Sequence, residues 1–516
     1  MKILYTTLFT LIISAGLCQG QSLKINEIMN WNTSTLKDGS GNYNPWVELY
    51  NSGPSPIDLQ GYFLADHEYL LKRWEFPSVS IAAGDYLIVF LSGKEKGVAG
   101  EIHSDIKITS SWQGIYLSDP SGQLIDKCRY QSMGLDISYG RSTDGGSAFA
   151  FFNQPTPGAS NNTTPYASAA EAPIFSHRAG FYQNAFRLSI SNPDPSAEVR
   201  YTLDGSDPTS SSPLYTGPIQ ISSRASDPNT ISMIQSSFNS YWLPPSGNVE
   251  KYSIVKARIF KAGHIDGEIA TSTYFIDSNI KNRFNMPVVS LSTDPANFFD
   301  YTKGIYVPGK TFDDALAANP SMPIGETTPA NFTMKGDDWA RPCYIEYFES
   351  SGLGGFAQAA SVDIHGAFSR LYRQHALNVK AGKGFDDPKS IDYPVFPGLV
   401  QTSGITKSKS KYLVSKDITK FKTLMLRNNG SDWGYTMFRD ALAGSLFAHR
   451  NLSVQAYRPC VVYLNGEYWG IHDLREKFDQ DYLEAHYGIP KTNSLILYNE
   501  GATYQGDSLL ADDYTD

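Results

Sequence analysis

The amino-acid sequence predicts a multidomain protein, two β-sandwiches followed by an α+β domain, and three observations predict it. From Leu23 to Pro157, short β-rich runs (INEIMNWN, WVELYN, YFLAD, YLIVFLS, GIYLSD) alternate with Gly, Pro, Asn, Asp and Ser, the pattern of short paired strands. A Pro/Thr/Ser/Asn/Ala-rich stretch, Gln154 to Ala172, then interrupts the apolar pattern as a linker would. Helical spacing appears only late, where Thr436 to Arg450 puts Phe438, Ala441, Leu442 and Leu446 on one stripe.

A chain of 516 residues is too long for one core. Its 52 acidic and 43 basic residues give a net charge of −9. That balance argues against a nucleic-acid or anionic-membrane partner, since either requires a basic face. Residues 1–20 read as a secretory signal: Lys2, an apolar run from Ile3 to Leu17, and a cleavage region before Gln21. The run is short for a membrane span, and no later stretch approaches that length, so no transmembrane segment is expected after signal removal. Leu17 stands where a lipoprotein signal needs a small residue, so Cys18 is expected to carry no lipid. The expected locale is secreted or cell-surface. Cys128, Cys343 and Cys460 are too scattered for a disulfide framework or a metal site, and packing is their expected role. Matching Arg-Pro-Cys triplets leave a Cys343–Cys460 bridge open.

The expected modules follow in order. In residues 23–157, INEI followed by WVELYNSGPSPIDLQGYFLAD resembles the lamin-tail domain, which implies an immunoglobulin-like sandwich. Glu27 and Glu48 read as strand-edge polar residues rather than metal ligands, because no third carboxylate comes at a matching spacing. The linker occupies 158–172. In residues 173–277, VRYTLDGSDPTSSSPLYTGPIQI resembles the small C-terminal β-sandwich of chitobiase and hexosaminidase enzymes. Asp204 and Asp207 read as Asx-turn formers, with calcium as the alternative. An irregular insert, Ser223 to Lys251, is expected to be a surface loop.

The third module is expected over 285–516, unfinished at its C-terminal end. Its centre is AYRPCVVYLNGEYWGIHDLRE. Asn465-Gly466 suits the two positive-φ positions of a type I′ turn, so a hairpin is expected. On the return strand, alternation groups Tyr468, His472 and Leu474 against Trp469, Ile471 and Asp473. RPCVVYLNGEYWGIHDLREKFD and LMLRNNGSDWGYTMFRDALAGSL together resemble the spore-coat CotH kinase family, an atypical protein-kinase-like fold.

That resemblance implies an exported kinase using ATP and Mg2+ on Ser or Thr of surface or secreted proteins, with a glycan as a further candidate partner. Phosphoryl transfer needs cations for phosphate, carboxylates for metal and an acceptor for the hydroxyl proton. The expected parts are Asp432 as the catalytic residue and Asn428, Glu476 and Asp479 as metal ligands. Arg370, Lys380 and Arg439 are expected at the nucleotide, with Lys383 as a substitute cation. Asp432 also reads as an ordinary helix cap, and Glu476 with Asp479 as helix-start acids. Asp432 and Glu476 are expected to converge on one cleft faced by Arg370 or Lys380. His375 stands where the family usually has Lys, and His365 in its IHG triplet reads as structural. The alternative is a non-catalytic cell-surface binding or structural protein. Glycan hydrolysis has no carboxylate pair to support it.

Overall fold

The computed structural model describes residues 22–93, 99–108, 113–130, 133–382, 389–401, 416–448, 450, 452–489, 497–499 and 502–505. The signal segment, Cys18 and Lys383 lie outside these. The chain divides into two compact units, Met1–Ser168 and Ala169–Asp516.

In the first unit, strands Leu23–Met29, Trp46–Asn51 and Tyr86–Phe90 are consecutive members of a six-stranded sheet. A four-stranded sheet includes Gln113–Ser118 and Leu124–Tyr130. Both contribute to one apolar core, with Ile25, Leu49 and Val89 from the first and Ile115, Leu117 and Tyr130 from the second. Burying apolar area from two sheets at once is what makes these short strands stable together.

Glu27 and Glu48 are not strand-edge residues. They face each other across central strands and are buried. The Thr156 amide and hydroxyl donate to Glu27, as does Ser138, and the Gly158 amide donates to Glu48 Oε2 at 2.6 Å. Asp144, a third carboxylate invisible to spacing, accepts from the Asn161 amide at 3.0 Å and from Asn26, which also donates to Glu48. The start of the expected linker is therefore laid over the sheet and pinned by acids. Burial raises the Glu27 carboxyl to about 7 and the Glu48 carboxyl to about 8.

The second unit contains the remaining two stretches together. Its first part is a four-stranded sheet that includes Glu198–Thr202, Ser253–Phe260 and Ala270–Ile276. Asp204 Oδ1 accepts from the Ser206 amide in an Asx turn, and Asp207 pairs with Lys256. The rest is a closed barrel of β1 (Val288–Ser292), β2 (Arg341–Phe348), β3 (Gly354–His365), β4 (Ala376–Lys380), β5 (Thr423–Arg427), β6 (Tyr457–Leu464) and β7 (Glu467–Glu476). Their order is β1-β2-β3-β4-β5-β7-β6, closed by parallel pairing of β1 with β6. Leu291, Ile345, Val362, Val379, Leu424, Leu426, Val462 and Leu474 fill its core. Short helices accompany it: α1 (Pro295–Phe299), α2 (Gly309–Ala318), α3 (Arg439–Phe447) and α4 (Gln480–Tyr487). No described helix is long and apolar enough to cross a membrane.

The sheet and barrel share an aromatic seam. Tyr252, Phe275 and Phe284 pack with Phe348 and Tyr463. The Ser223–Lys251 insert completes the joint, and its reading as a surface loop is corrected. Its Phe238 packs with Phe332 and Leu371, and Ile231 joins the barrel core. Glu467 accepts from the amides of Thr230 at 2.7 Å and Ser232 at 2.9 Å. The few apolar side chains of this polar insert bury enough area to hold it.

The Asn465-Gly466 turn forms as expected, with φ of 45° and 82°. Two expectations about faces fail. Val462 pairs with Gly470 but Tyr463 pairs with Tyr468, so Trp469 is the extra residue of a β-bulge. Trp469 consequently shares the barrel core with Leu474, while Tyr468 turns to the aromatic seam. On α3 only Ala441 is buried; Phe438, Leu442 and Leu446 are 48%, 44% and 60% exposed. Its apolar stripe faces away from the barrel. Cys128, Cys343 and Cys460 are buried free thiols, so the open bridge is not formed.

Candidate functional site

Strand alternation places polar residues on the outside of the barrel. β5 pairs with β7 so that Leu424 faces Glu476 and Arg427 faces Asp473. Leu424 and Leu426 point into the core, so Arg427 points out. Asp363, His365 and Lys380 occupy the matching side of β3 and β4.

At the end of β5 this face becomes a charged network. The Arg475 guanidinium is buried and bonds Asp473 at 3.0 Å and Asp440 of α3 at 3.1 Å. Arg427 reaches the same Asp440 oxygen at 2.9 Å. The Nε atoms of both arginines are buried without a partner. Burial raises the Asp473 carboxyl above its ordinary value, and Arg475 pulls against it. His365 is held down to about 4 by burial and by the charges of Arg427, Lys477 and Lys335. The Asp363 carboxylate, on the same side of β3, opposes these charges.

Asp432 hangs below this network as a cap. It lies in the turn Gly430–Asp432, 7% exposed, and accepts from the Thr436 hydroxyl at 2.7 Å and the Phe438 and Arg439 amides at 3.1 Å. The Thr436 hydroxyl, the Arg439 and Thr436 amides and the Arg439 charge hold its carboxyl down to about 2. Arg439 Nη2 stands 3.2 Å from the same carboxylate. A carboxylate so occupied fixes the start of α3 and is a poor proton acceptor. Asn428 is buried and donates to the carbonyls of Ser369, at 3.1 Å, and Gln374. It ties the Asp432 turn to the neighbouring turn Phe368–Leu371, which carries Arg370. Arg370 spends its guanidinium on the carbonyls of Ala367 and Thr333.

The expected convergence of Asp432 with Glu476 is not what the ladder presents. Glu476 sits opposite Leu424, three residues and about 10 Å of strand before Arg427, beyond which the Asp432 turn begins. The acid that meets that turn is Asp473, 2.6 Å from the Asn429 amide in its satisfied orientation. Glu476 also does not open a helix. It ends β7, accepts from the Ala456 amide at 3.0 Å, and lies 2.8 Å from His486 of α4. Asp479 is the N-cap of α4, accepting from the Tyr482 amide at 3.1 Å. Lys380 pairs with Asp363. Among the described residues no three His, Cys, Asp or Glu side chains are placed to hold a metal.

His375 is buried beside Tyr306 and Phe332, its Nε2 2.7 Å from the Ser236 carbonyl of the insert. Burial holds it down to about 3, so it is neutral. Sequence reasoning passed over Arg427, Arg475, Asp440 and His486. The signal for the first two was alternation: each directly flanks an inward-facing leucine in LMLR and DLRE.

No curated protein matches this chain. Family models match three of its stretches. Residues 19–132 match the Lamin Tail Domain and residues 177–235 the Chitobiase/beta-hexosaminidase C-terminal domain. Residues 362–515, which carry the end of β3, β4 through β7 and the charged network, match CotH kinase protein. The chain is a multidomain protein with N-terminal β-rich domains and a C-terminal CotH domain.

Proposed function

We propose that this chain is an exported CotH-type protein kinase, transferring a phosphoryl group from ATP to Ser or Thr of surface or secreted proteins. The observation that supports it best is the Arg427–Asp440–Arg475–Asp473 network on the open face of the CotH domain. Phosphoryl transfer is chiefly positioning and charge stabilisation. Arg427, with Lys335 and Lys477 nearby, would hold the phosphates of ATP. Asp432 has donors on both carboxylate oxygens, whereas the partly exposed Asp440 meets Arg427 and Arg475 through Oδ2, so its Oδ1 is the oxygen that a substrate hydroxyl would approach with its proton. Asp432 acts through α3, holding the first turn so that Asp440 stays on the arginines.

Mg2+ fits less well than the nucleotide. Glu476 is engaged by Ala456 and His486, Asp479 by Tyr482, and Asp440 and Asp473 by arginine.

The second reading is a non-catalytic surface-binding protein. His375 favours it, because a buried neutral imidazole occupies a position where the family usually has lysine. Incubating the full chain with labelled ATP, Mg2+ and a protein acceptor separates the two. Transfer that Asp440→Asn abolishes supports the kinase; no transfer by the wild-type chain leaves the binding reading.

A further inference from the structure

A second cleft lies where the insert meets the barrel. It has a volume of about 310 Å3, at the lower end of the small-molecule range. Trp242 comes from the insert, Trp433 from the turn after β5, and Tyr468 and Trp469 from the bulge of β7. Arg373 is the single charged residue lining it. Its Nη1 donates to the Leu243 carbonyl at 2.9 Å, and its guanidinium lies 5.2 Å from the Trp433 ring. Five N–H donors leave this fork with capacity beyond one carbonyl. Ser232, also in the lining, is held on the Glu467 carboxylate, to which its amide donates at 2.9 Å.

These walls select a ligand by elimination. A nucleoside triphosphate requires several cations, and this cleft offers one. A purely apolar ligand would desolvate the Arg373 guanidinium without pairing it, which costs free energy. A cationic ligand would meet like charge. What remains is a small ring with an apolar face for the tryptophans, a hydrogen-bonding rim and one negative charge. We infer that the cleft binds a six-membered sugar ring carrying a carboxylate, with Trp242 against its C–H face and Arg373 on the carboxylate. No lining residue belongs to the Arg427–Asp440–Arg475–Asp473 network, and the inference does not depend on the kinase reading.

The test is titration of the full chain with sodium glucuronate, without nucleotide, followed by tryptophan fluorescence. We expect saturation with Kd on the order of 1 mM. Trp242→Ala and Arg373→Gln should each weaken it about tenfold or more, and glucose should bind the wild-type chain more weakly by a similar factor. Circular dichroism of both variants confirms that they fold. The inference is overturned if glucuronate gives no saturable change, or if both variants bind as the wild type does. It is equally overturned if sodium acetate reproduces the response, since the cleft would then hold only an anion. None of these outcomes bears on phosphoryl transfer.

Discussion

Arg427 stands directly opposite Asp473 in the β5–β7 ladder, on the outside of the barrel. The pairing is a consequence of register. Once Leu426 and Leu474 face each other in the core, the next residues on both strands must face out. Arg475, two positions along on the same face as Asp473, then links it to Asp440 of α3. The anchor of α3 is therefore electrostatic, which explains how this helix keeps its place with an exposed apolar stripe.

Arg475→Gln should destabilise the chain by about 3–5 kcal/mol at neutral pH, because it leaves Asp473 buried and unpaired. The sign of its pH dependence follows from Asp473, whose carboxyl burial already raises and the arginine lowers. Losing the arginine raises it further, so the folded state binds a proton more tightly than the unfolded one. The variant should regain stability as pH falls from 7.5 towards 5. Urea unfolding at both pH values reads this.

The first unit should lose stability between about pH 4.5 and 8. Its Glu27 and Glu48 carboxyls are raised to about 7 and about 8 from an ordinary 4.5. A raised folded value means stability fully present below pH 4.5 and lost as pH rises through the folded values. At about 1.4 kcal/mol per pH unit for each group, the two carboxyls together would lose up to about 8 kcal/mol across this range. Hydrogen exchange of peptides spanning Leu23–Met29 and Thr156–Asn161 should speed up over this range beyond the intrinsic rise. Glu48→Gln should flatten the change.

Phe238→Ala should cost about 3–5 kcal/mol, the usual penalty for emptying a buried phenylalanine site. In the folded wild-type chain the insert from Ser223 to Lys251 should resist protease, and in the variant it should be cut early. A wild-type insert cleaved as fast as an ordinary loop would contradict its place in the joint.

Leu446→Glu should change stability by no more than about 0.5 kcal/mol, since Leu446 is exposed on α3. A loss of several kcal/mol on thermal or urea unfolding would show that this stripe is covered after all.

What was legible in the sequence was local. Asn465-Gly466 announces its own turn because few other dipeptides tolerate two positive φ values. The outer face of β7, Asp473 with Arg475, follows from alternation alone, but only as far as the bulge. One extra residue at Trp469 inverts the faces, and no local pattern signals it. Glu476 looked like a helix-start acid because its true partner, His486, comes only after the strand has ended and α4 has nearly run its course. The insert looked like a loop because Ile231, Ile234 and Phe238 stand in a stretch dominated by Ser, Asn and Pro, yet Ile231 and Phe238 each fill a gap in a core completed by distant residues. Asp432 was readable as a cap from its place before a helix. The donors that occupy it, Thr436, Phe438 and Arg439, required the actual path of the turn.

The most direct test of the kinase reading is phosphate transfer from labelled ATP by the full chain, compared with Arg427→Gln and Asp440→Asn. The account predicts transfer by the wild-type chain and a loss of at least about 100-fold in each variant, in line with removal of a charge-stabilising or proton-accepting group. Circular dichroism spectra should stay unchanged. Wild-type transfer that persists undiminished in both variants would contradict the assignment of this network as the catalytic face.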